Sequence, residues 1–393
     1  MTYAGERRII DADSHLIELD DFLERVADPA DRAVLPRMDE QTELPVVPEG
    51  LVRGRELFEK RRSDPEVMAK FEASVLDAKR SGWNRLGAFD PEERSHTLDL
   101  FGYEMQLVLP TFSFHQVAHV QDSGVLAAGA RTLNRAMGGF CAHDERLLAI
   151  GYIPLSLGPE EAADLMKRGF EDGCYSFMVD TNEPDPKARS FTHPDFDPIW
   201  AGFADASVPA VFHIAVNGHF QAIPPSFHNN GRAAVAAAGD APAGAIGAIT
   251  LKNSAEIFLS AMVFDGVFSR HPGLRGISLE HAAVWLPSWL RALDTAVAAF
   301  RRLQPELADH ELPSETIRGR MKFAPFTGEP VGWIIEQIGA DVLVYGSDYP
   351  HPEGSSNPIK RFEATMTECD PETMAAFYYG NMREVMGLGA APQ

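Results

Sequence analysis

Residues 341–354 read DVLVYGSDYPHPEG, an apolar run that passes directly into a polar turn carrying Asp348 and His351. A short, nearly continuous apolar run that ends at turn residues is typical of a strand buried on both faces of a parallel sheet. Ionisable side chains at the carboxyl end of such a strand lie where α/β proteins carry their chemistry. This stretch therefore predicts an α/β protein with a functional site at one edge of its sheet.

The same arrangement recurs toward the amino terminus. Segments with helical spacing, such as 158–169, lie between several further apolar runs, which are found at 9–10, 105–109, 147–153, 176–179, 208–214, 276–279 and, more weakly, 322–324. About eight strands that alternate with helices predict an α/β fold, a distorted (β/α)8 TIM barrel, with a doubly wound sheet as the alternative. We expect a single domain over residues 1–393.

Two stretches interrupt the alternation. Residues 30–95 are rich in charge and proline after the first strand, and residues 217–255 are rich in alanine and glycine after the fifth. Long connections in compact proteins are commonly functional lids. We therefore expect insertions after strands 1 and 5. The second is either a mobile lid or dimer contact, or a plain surface insertion.

The composition limits the partners and the location. The chain has 393 residues, is 45% hydrophobic and carries a formal net charge of -22. This excess of acid argues against nucleic acid, whose phosphates need a basic surface, and against an anionic membrane. The three cysteines form no CxxC pair, and no apolar run is long enough to span a membrane. We expect a cytoplasmic protein that acts on a small molecule.

Four of the predicted strands end in side chains that bind metals. Carboxylate and imidazole ligands around one centre suit zinc, manganese or ferrous iron, and the carboxyl ends of barrel strands meet on one face. The pattern predicts one divalent metal ion with an open position for catalysis. The groups are Asp11, Asp13, His15 and Glu18 after the first strand, His213 and His219 after the fifth, Glu280 and His281 after the sixth, and Asp348 and His351 after the eighth.

Several of these groups have structural alternatives. We expect a structural hydrogen bond from Asp11, and either support of the site or a helix start from Glu18. His351 is expected to line the pocket or to orient Asp348. His219 is a candidate contact to substrate, with a solvated loop as the alternative. Lys322, on the weak seventh strand, is the nearest candidate to clamp a second carboxylate, and a salt bridge at the barrel rim is the stronger reading.

The four strand-end motifs resemble the signatures of the amidohydrolase superfamily. The motifs are IDADSH (10–15), FHIAVNG (212–218), LEHAAVWLP (279–287) and YGSDYPHPEG (345–354). More closely, they resemble the amidohydrolase 2 branch, which is related to aminocarboxymuconate semialdehyde decarboxylase. The resemblance implies a barrel that holds one divalent metal through Asp13, His15, His213 and Asp348. It also implies catalytic roles for His281, as acid, base or polarising group, and for Asp348.

The first strand departs from the pattern of this branch. The branch usually has an HxH pair there, whereas this chain has Asp13 and then His15. An acidic residue at that position is similar to the aromatic-acid decarboxylases of the branch. A carboxylate makes the site harder and shifts the preference toward manganese or iron, with zinc still open. The fourth strand ends in VDTN without a lysine, so a dinuclear site bridged by carboxylated lysine is not expected.

These features predict a non-oxidative decarboxylase that acts on an aromatic or unsaturated carboxylic acid. Asp348, or a water handled by His281, would protonate the carbon that loses CO2. The alternative is a hydrolase of a C–C, ester, lactone or amide bond that uses a metal-activated water. A non-catalytic binding barrel is the remote alternative. We expect a small-molecule carboxylate as partner and a homodimer as the assembly.

Overall fold

The computed structural model describes residues 2–40, 48–76, 82–118, 120–183, 185–214, 223–233, 244–308, 311–351, 354 and 356–389. Within these residues, seven parallel strands form one curled sheet. The strands are β1 (Ile10–His15), β2 (Met105–Leu109), β3 (Leu147–Ile153), β4 (Ser176–Val179), β5 (Ala210–His213), β6 (Gly276–Leu279) and β7 (Met321–Phe323).

Helices separate the strands along the chain. Many begin at a proline, which suits a first turn, and several have an aspartate before it that accepts a backbone N–H, as Asp90 does at α4. The α-helices are α1 (Pro29–Arg32), α2 (Pro48–Ser63), α3 (Pro65–Glu72), α4 (Pro91–Phe101), α5 (Phe112–Ala118), α6 (Ser123–Cys141), α7 (Pro159–Glu171), α8 (Asp197–Ala206), α9 (Gly244–Thr250), α10 (Asn253–Phe264), α11 (Val267–Arg270), α12 (Leu286–Phe300), α13 (Pro313–Arg320), α14 (Val331–Ile338), α15 (Pro358–Glu363), α16 (Pro371–Ala375) and α17 (Asn381–Val385).

The order of the strands identifies the architecture. Neighbours in the sheet follow the order of the chain from β1 to β7 without reversal. A doubly wound sheet reverses its strand order at a switch point, so that alternative is set aside. The side chains of β1, β4, β5, β6 and β7 are all buried, as expected for strands covered on both faces. The predicted (β/α)8 barrel fold is confirmed.

The predicted eighth strand is not a regular strand, although its segment lies between β7 and β1. The amide of Phe323 donates to the carbonyl of Val342, and the amide of Ala12 donates to the carbonyl of Tyr345. Beyond Tyr345 the hydrogen bonding to β1 continues but is irregular. The amides of Ser347 and Asp348 both donate to the carbonyl of Asp13, the amide of His15 donates to the carbonyl of Tyr349, and Asp348 has the left-handed φ of 53°. A Cβ atom on Gly346 would lie 2.9 Å from Cβ of Asp13, so the backbone approaches β1 too closely for another residue.

The described part of the first insertion is helical and packs under the carboxyl end of β1. Arg61 on α2 forms a buried pair with Glu93, with Nε–Oε1 and Nη2–Oε2 distances of 2.5 and 2.6 Å. Arg94 on α4 donates to the backbone carbonyl of His15, and its guanidinium lies 5.4 Å from the ring centre of Tyr349. The described helices α2 and α4 are therefore joined by the Arg61–Glu93 pair, and Arg94 connects α4 to His15 and to Tyr349 beside Asp348.

The second insertion is described only in part. His219 and residues 215–222 and 234–243 lie outside the described residues, so the predicted lid stays a prediction. One segment, Gly244–Phe264, is long and apolar enough to cross a membrane by composition, with a mean hydropathy of 1.2. It consists of α9 and α10, and α10 buries Phe258, Leu259 and Met262 in the core. A core helix meets the same criterion, so this observation is weak evidence for a membrane.

Candidate metal centre

The fold brings side chains from four parts of the barrel to one buried point. Asp13, His15, His213 and Glu280 each offer a ligand atom, and these atoms lie within 4.8 Å of one another. A second group with the same spacing shares His15 and Glu280 and adds Asp348 and His351. Both of these lie in residues 341–351, which join β7 to β1 by hydrogen bonds and are called the closing segment below. The residues that the sequence predicts as metal ligands therefore meet, together with Glu280.

The strands determine which side chains face this point. Asp13 and His15 lie two apart on β1, and His213 is the last residue of β5. Glu280 directly follows β6 with φ at 57°, and Asp348 has φ at 53°. Left-handed backbone is uncommon for residues other than glycine and clusters at functional sites. The directions of the Glu280 and Asp348 carboxylates therefore depend on backbone conformations that regular strands do not have.

The distances within the group are short. Nε2 of His15 lies 3.1 Å from Oδ1 of Asp13, 3.9 Å from Oε1 of Glu280 and 3.9 Å from Oδ1 of Asp348. Nε2 of His213 lies 3.5 Å from Oε2 of Glu280. One nitrogen or oxygen of every group thus points toward the same small volume.

The electrostatics of the group fit a divalent cation. Burial holds the pKa of His213 well below its ordinary value, so its imidazole is neutral and has a lone pair for a metal. Burial also raises the pKa of Asp13. Oδ1 of Asp348 is buried and accepts no hydrogen bond from the described residues, although Nδ1 of His351 lies 3.2 Å away. Buried carboxylates are costly unless a cation compensates them, and this donor set suits zinc, manganese or iron.

Asp11 and Glu18 have structural roles, as the sequence suggests. Asp11 accepts hydrogen bonds from the amide and hydroxyl of Ser347, at 2.8 and 2.6 Å, and from Gln106 at 2.9 Å. It thereby joins β1 and β2 to the closing segment, and burial raises its pKa to about 7. Glu18 accepts from the amides of Thr111 and Phe112, which begin α5.

The two other predicted histidines have different surroundings. The ring of His351 stacks on that of His15 with centres 4.1 Å apart. His281 is fully buried, with its ring nitrogens 3.0 Å from the hydroxyl of Ser278 and 3.4 Å from that of Ser254. Burial lowers the pKa of His281 to about 3, so its imidazole is neutral. His281 does not line the cavity described next, and its catalytic role stays a prediction.

A cavity opens beside the candidate metal-binding group, which consists of Asp13, His15, His213 and Glu280. It contains no lysine or arginine among its described lining residues, which are Asp13, Glu280, Ala324, Pro325, Phe326, Thr327, Gly346, Ser347, Asp348 and Gly354. Lys322 does not reach it, because its ammonium group donates to the carbonyl of Asp341 and pairs with Glu384 at 3.0 Å. The salt-bridge reading of Lys322 is therefore correct.

Two residues of the site are given no role in it from the sequence: Glu280 is a strand-end candidate that is not assigned as a ligand, and Thr111 is not a candidate. Glu280 has the same sequence signal as His281, and only the left-handed turn after β6 selects which of the two faces the metal-binding group. The hydroxyl of Thr111 contacts the rings of both His15 and His351. Nothing in the pattern of apolar and ionisable residues marks a threonine after β2 as part of the site.

Asp180, directly after β4, is a second buried carboxyl, in addition to Asp11, whose titration is expected to lower stability as the pH rises. Its oxygens accept from the hydroxyl of Tyr152 at 2.8 Å and the amide of Ser156 at 3.3 Å, and burial raises its pKa from 3.8 to about 7. The folded state therefore keeps a proton that the unfolded chain loses, so stability falls as the pH rises through this window. Relative to Asp180→Asn, the wild type should lose about 2 to 3 kcal/mol between about pH 5 and pH 8.

Denaturant unfolding of both proteins at the two pH values measures this difference. The exposed Asp205→Asn serves as the control, and it should track the wild type at both pH values. An equal change for Asp180→Asn and the wild type would contradict the assignment of a raised pKa to Asp180.

Comparison with known proteins agrees with the fold and the site. A family model described as Amidohydrolase matches residues 10–388. Because the match covers nearly the whole chain, the protein belongs to this amidohydrolase family. The predicted family is thus confirmed, and with it the expectation that the chain is an enzyme.

Solved structures share the barrel at low sequence identity. The chain is similar to an amidohydrolase from Mycobacterium avium subsp. paratuberculosis, with a TM-score of 0.71 and 21% identity over 97% of this chain and 100% of that chain. It is also similar to 5-carboxyvanillate decarboxylase from Novosphingobium aromaticivorans with bound manganese, with a TM-score of 0.60 and 16% identity over 97% of this chain and 96% of that chain. A dihydroxybenzoic acid decarboxylase from Polaromonas sp., also with manganese, has a TM-score of 0.60 and 15% identity over 98% of each chain.

Proposed function

We propose that this protein is a metal-dependent, non-oxidative decarboxylase of an aromatic or unsaturated carboxylic acid. The observation that carries the proposal is the buried group in which Asp13, instead of the first histidine of an HxH pair, lies beside His15, His213 and Glu280. The similarity to decarboxylases that hold manganese supports it. The small-molecule carboxylate partner and the homodimer belong to the same proposal.

Asp13, His15, His213 and Glu280 would hold the ion, with Asp348 beside them. Zinc, manganese and iron all remain compatible with these donors. When bound, the ion supplies an electrophile that binds an oxygen of the substrate and orients the carboxylate that is lost. The described lining of the cavity has no lysine or arginine, so these residues provide no other cation for an anionic substrate.

Asp348 is the proton donor in this mechanism. The bond between the substrate carbon and its carboxylate breaks, CO2 leaves, and the electron pair stays on that carbon. Asp348 delivers a proton to the carbon and recovers one from water, so the net reaction replaces a carboxylate by hydrogen. Asp348 suits this task because it lines the cavity beside the candidate metal ligands, together with Pro325 and Phe326.

His281 is not assigned the proton transfer. Its pKa of about 3 keeps the imidazole neutral at ordinary pH, and its ring nitrogens are in contact with Ser278 and Ser254. A neutral imidazole next to His213 suits a hydrogen-bonding role in the wall of the site instead.

Hydrolysis is the second candidate, and the charge of the site favours it. The carboxylates of Asp13, Glu280 and Asp348 together exceed the charge of one divalent ion, which disfavours an anionic substrate relative to a neutral ester, lactone or amide. In that case Asp348 would accept a proton from the attacking water rather than donate one to carbon.

Product analysis separates the two reactions. The purified protein, loaded with manganese or zinc, is incubated in heavy water with 2,6-dihydroxybenzoate or 5-carboxyvanillate, the acids of the similar decarboxylases, and with neutral esters and lactones. Released CO2 and one deuterium at the vacated carbon, both absent after chelation, are the expected result. Turnover of the neutral compounds alone would overturn the proposal in favour of hydrolysis, and turnover of neither would favour a binding barrel.

A further inference from the structure

Thr111 connects two histidines of the site. Its Oγ1 atom lies 3.3 Å from Nδ1 of His15 and 2.8 Å from Nε2 of His351, and all three side chains are buried. We propose that Thr111 is a positioning residue, whose hydroxyl fixes the ring orientation and the tautomer of both histidines. This inference rests on the metal centre of the proposed function.

The hydroxyl is held in place from the backbone side. Glu18 accepts hydrogen bonds from the amides of Thr111 and Phe112, both at 2.9 Å, and from the hydroxyl of Ser113 at 2.5 Å. The backbone carbonyl of Glu18 in turn accepts from the indole of Trp83 at 2.9 Å. Glu18 lies three residues after His15, the last residue of β1. The loop that follows β1 therefore holds the residue that contacts the ring of His15.

The proposed direction of each hydrogen bond follows from the nitrogen of His15 that faces the other candidate ligands. Nε2 of His15 faces Asp13, Glu280 and Asp348, so in the metal-bound ring this nitrogen is the ligand and the ring proton lies on Nδ1. A hydroxyl has one proton and two lone pairs. In the proposed arrangement, Thr111 accepts from Nδ1–H of His15 and donates its own proton to Nε2 of His351.

The same reasoning extends to Asp348. Because Nε2 of His351 accepts the proton of Thr111, the ring proton of His351 lies on Nδ1, which is 3.2 Å from Oδ1 of Asp348. The stacked rings of His15 and His351, 24° from parallel, leave little room for either to turn. Nδ1 of His351 thus lies beside the carboxylate to which the mechanism assigns proton transfer, although this pair does not meet hydrogen-bond geometry.

Substitutions at Thr111 can separate the hydroxyl from the shape of the side chain. Thr111→Val keeps the volume and removes the hydroxyl, and Thr111→Ser keeps the hydroxyl. Thr132→Val is a matched control, because Thr132 is equally buried on α6 and its hydroxyl only donates to the carbonyl of Ala128, at 2.8 Å. Thermal melting establishes that each protein is folded, and Thr111→Ala replaces the valine variant if that one does not fold.

Zinc affinity of the metal-free full-length protein is measured by competition with a chromophoric chelator. Thr111→Val should weaken binding by about 10- to 100-fold, the range observed when a hydrogen-bond partner of a metal-binding histidine is removed. Thr111→Ser should restore the affinity to within about threefold of the wild type, and Thr132→Val should leave it unchanged. Wild-type affinity in Thr111→Val, or equal losses in the serine and valine variants, would overturn the proposal.

Imidazole NMR of the zinc-loaded protein with isotope-labelled histidine reads the tautomer directly. The signal of His351 is assigned by comparison with His351→Gln. His351 should carry its proton on Nδ1 in the wild type and in Thr111→Ser, whereas Thr111→Val should show a mixture of the Nδ1–H and Nε2–H tautomers. A proton on Nε2 in the wild type would refute the proposed direction. A wild type that binds zinc without releasing CO2 would refute only the proposed function, whereas one that binds no zinc would refute both.

Discussion

Replacing His213 with alanine is expected to remove the metal from the purified protein. His213 ends β5, and its Nε2 atom is directed at Glu280 across the metal-binding group. Loss of one imidazole leaves the buried carboxylates of Asp13 and Glu280 with fewer partners and opens a gap in the donor set. We expect about one zinc, manganese or iron per wild-type chain, and an affinity at least about 100-fold lower in His213→Ala.

Elemental analysis after dialysis, followed by chelator competition, measures both quantities. His143→Ala provides the control, because His143 is exposed and lies far along the chain from every group of the site. Full metal retention in His213→Ala would remove His213 from the ligand set. A metal-free wild type after growth with ample metal would refute the metal centre itself and favour the binding-barrel alternative.

Replacing Asp348 with asparagine is expected to abolish most of the turnover while the metal remains bound. Asparagine has nearly the same size and tolerates the left-handed backbone found at this position, where φ is 53°. It cannot transfer a proton as a carboxyl does, so kcat should fall by about 100- to 10,000-fold. Asp13, His15, His213 and Glu280 still provide four donors within 4.8 Å, and we expect them to retain the ion.

Steady-state kinetics and metal content of the same preparation test this expectation together. A parallel loss of metal and activity would make Asp348 a ligand and not the proton donor. Unchanged turnover would exclude both roles. The protein with Asp205→Asn, an exposed substitution on α8, should behave as the wild type in both measurements.

The barrel fold, and the site residues at the ends of its strands, can be predicted from the sequence because both follow from local patterns. An apolar run such as Leu147–Ile153 is typical of a strand buried on both faces, and alternation with helices favours a parallel sheet. In a barrel the carboxyl ends of the strands share one face. Asp13 and His15 near the end of β1 therefore converge with His213 at the end of β5, although up to 200 positions separate them.

Other features depend on contacts between distant segments and could not be obtained in this way. The run Asp341–Tyr345 has the pattern of a regular strand, but its hydrogen bonding to β1 becomes irregular where Gly346 packs against Asp13 and the backbone turns at Asp348. Similarly, Glu280 and His281 are adjacent and both ionisable. A left-handed turn at Glu280 directs that carboxylate into the group, and the ring of His281 lies among serine hydroxyls.

The sequence alone therefore predicted the family, the barrel and most of the candidate metal ligands that the fold brings together. Strand period and chain order determine which end of the sheet a residue occupies. Only the tertiary structure shows that Glu280, and not His281, faces the other candidate ligands, and which way Asp348 points. It also shows that Thr111 lies between His15 and His351. Those outcomes depend on backbone conformation and on hydrogen bonds between residues up to 240 positions apart, which no local pattern of apolar and polar residues encodes.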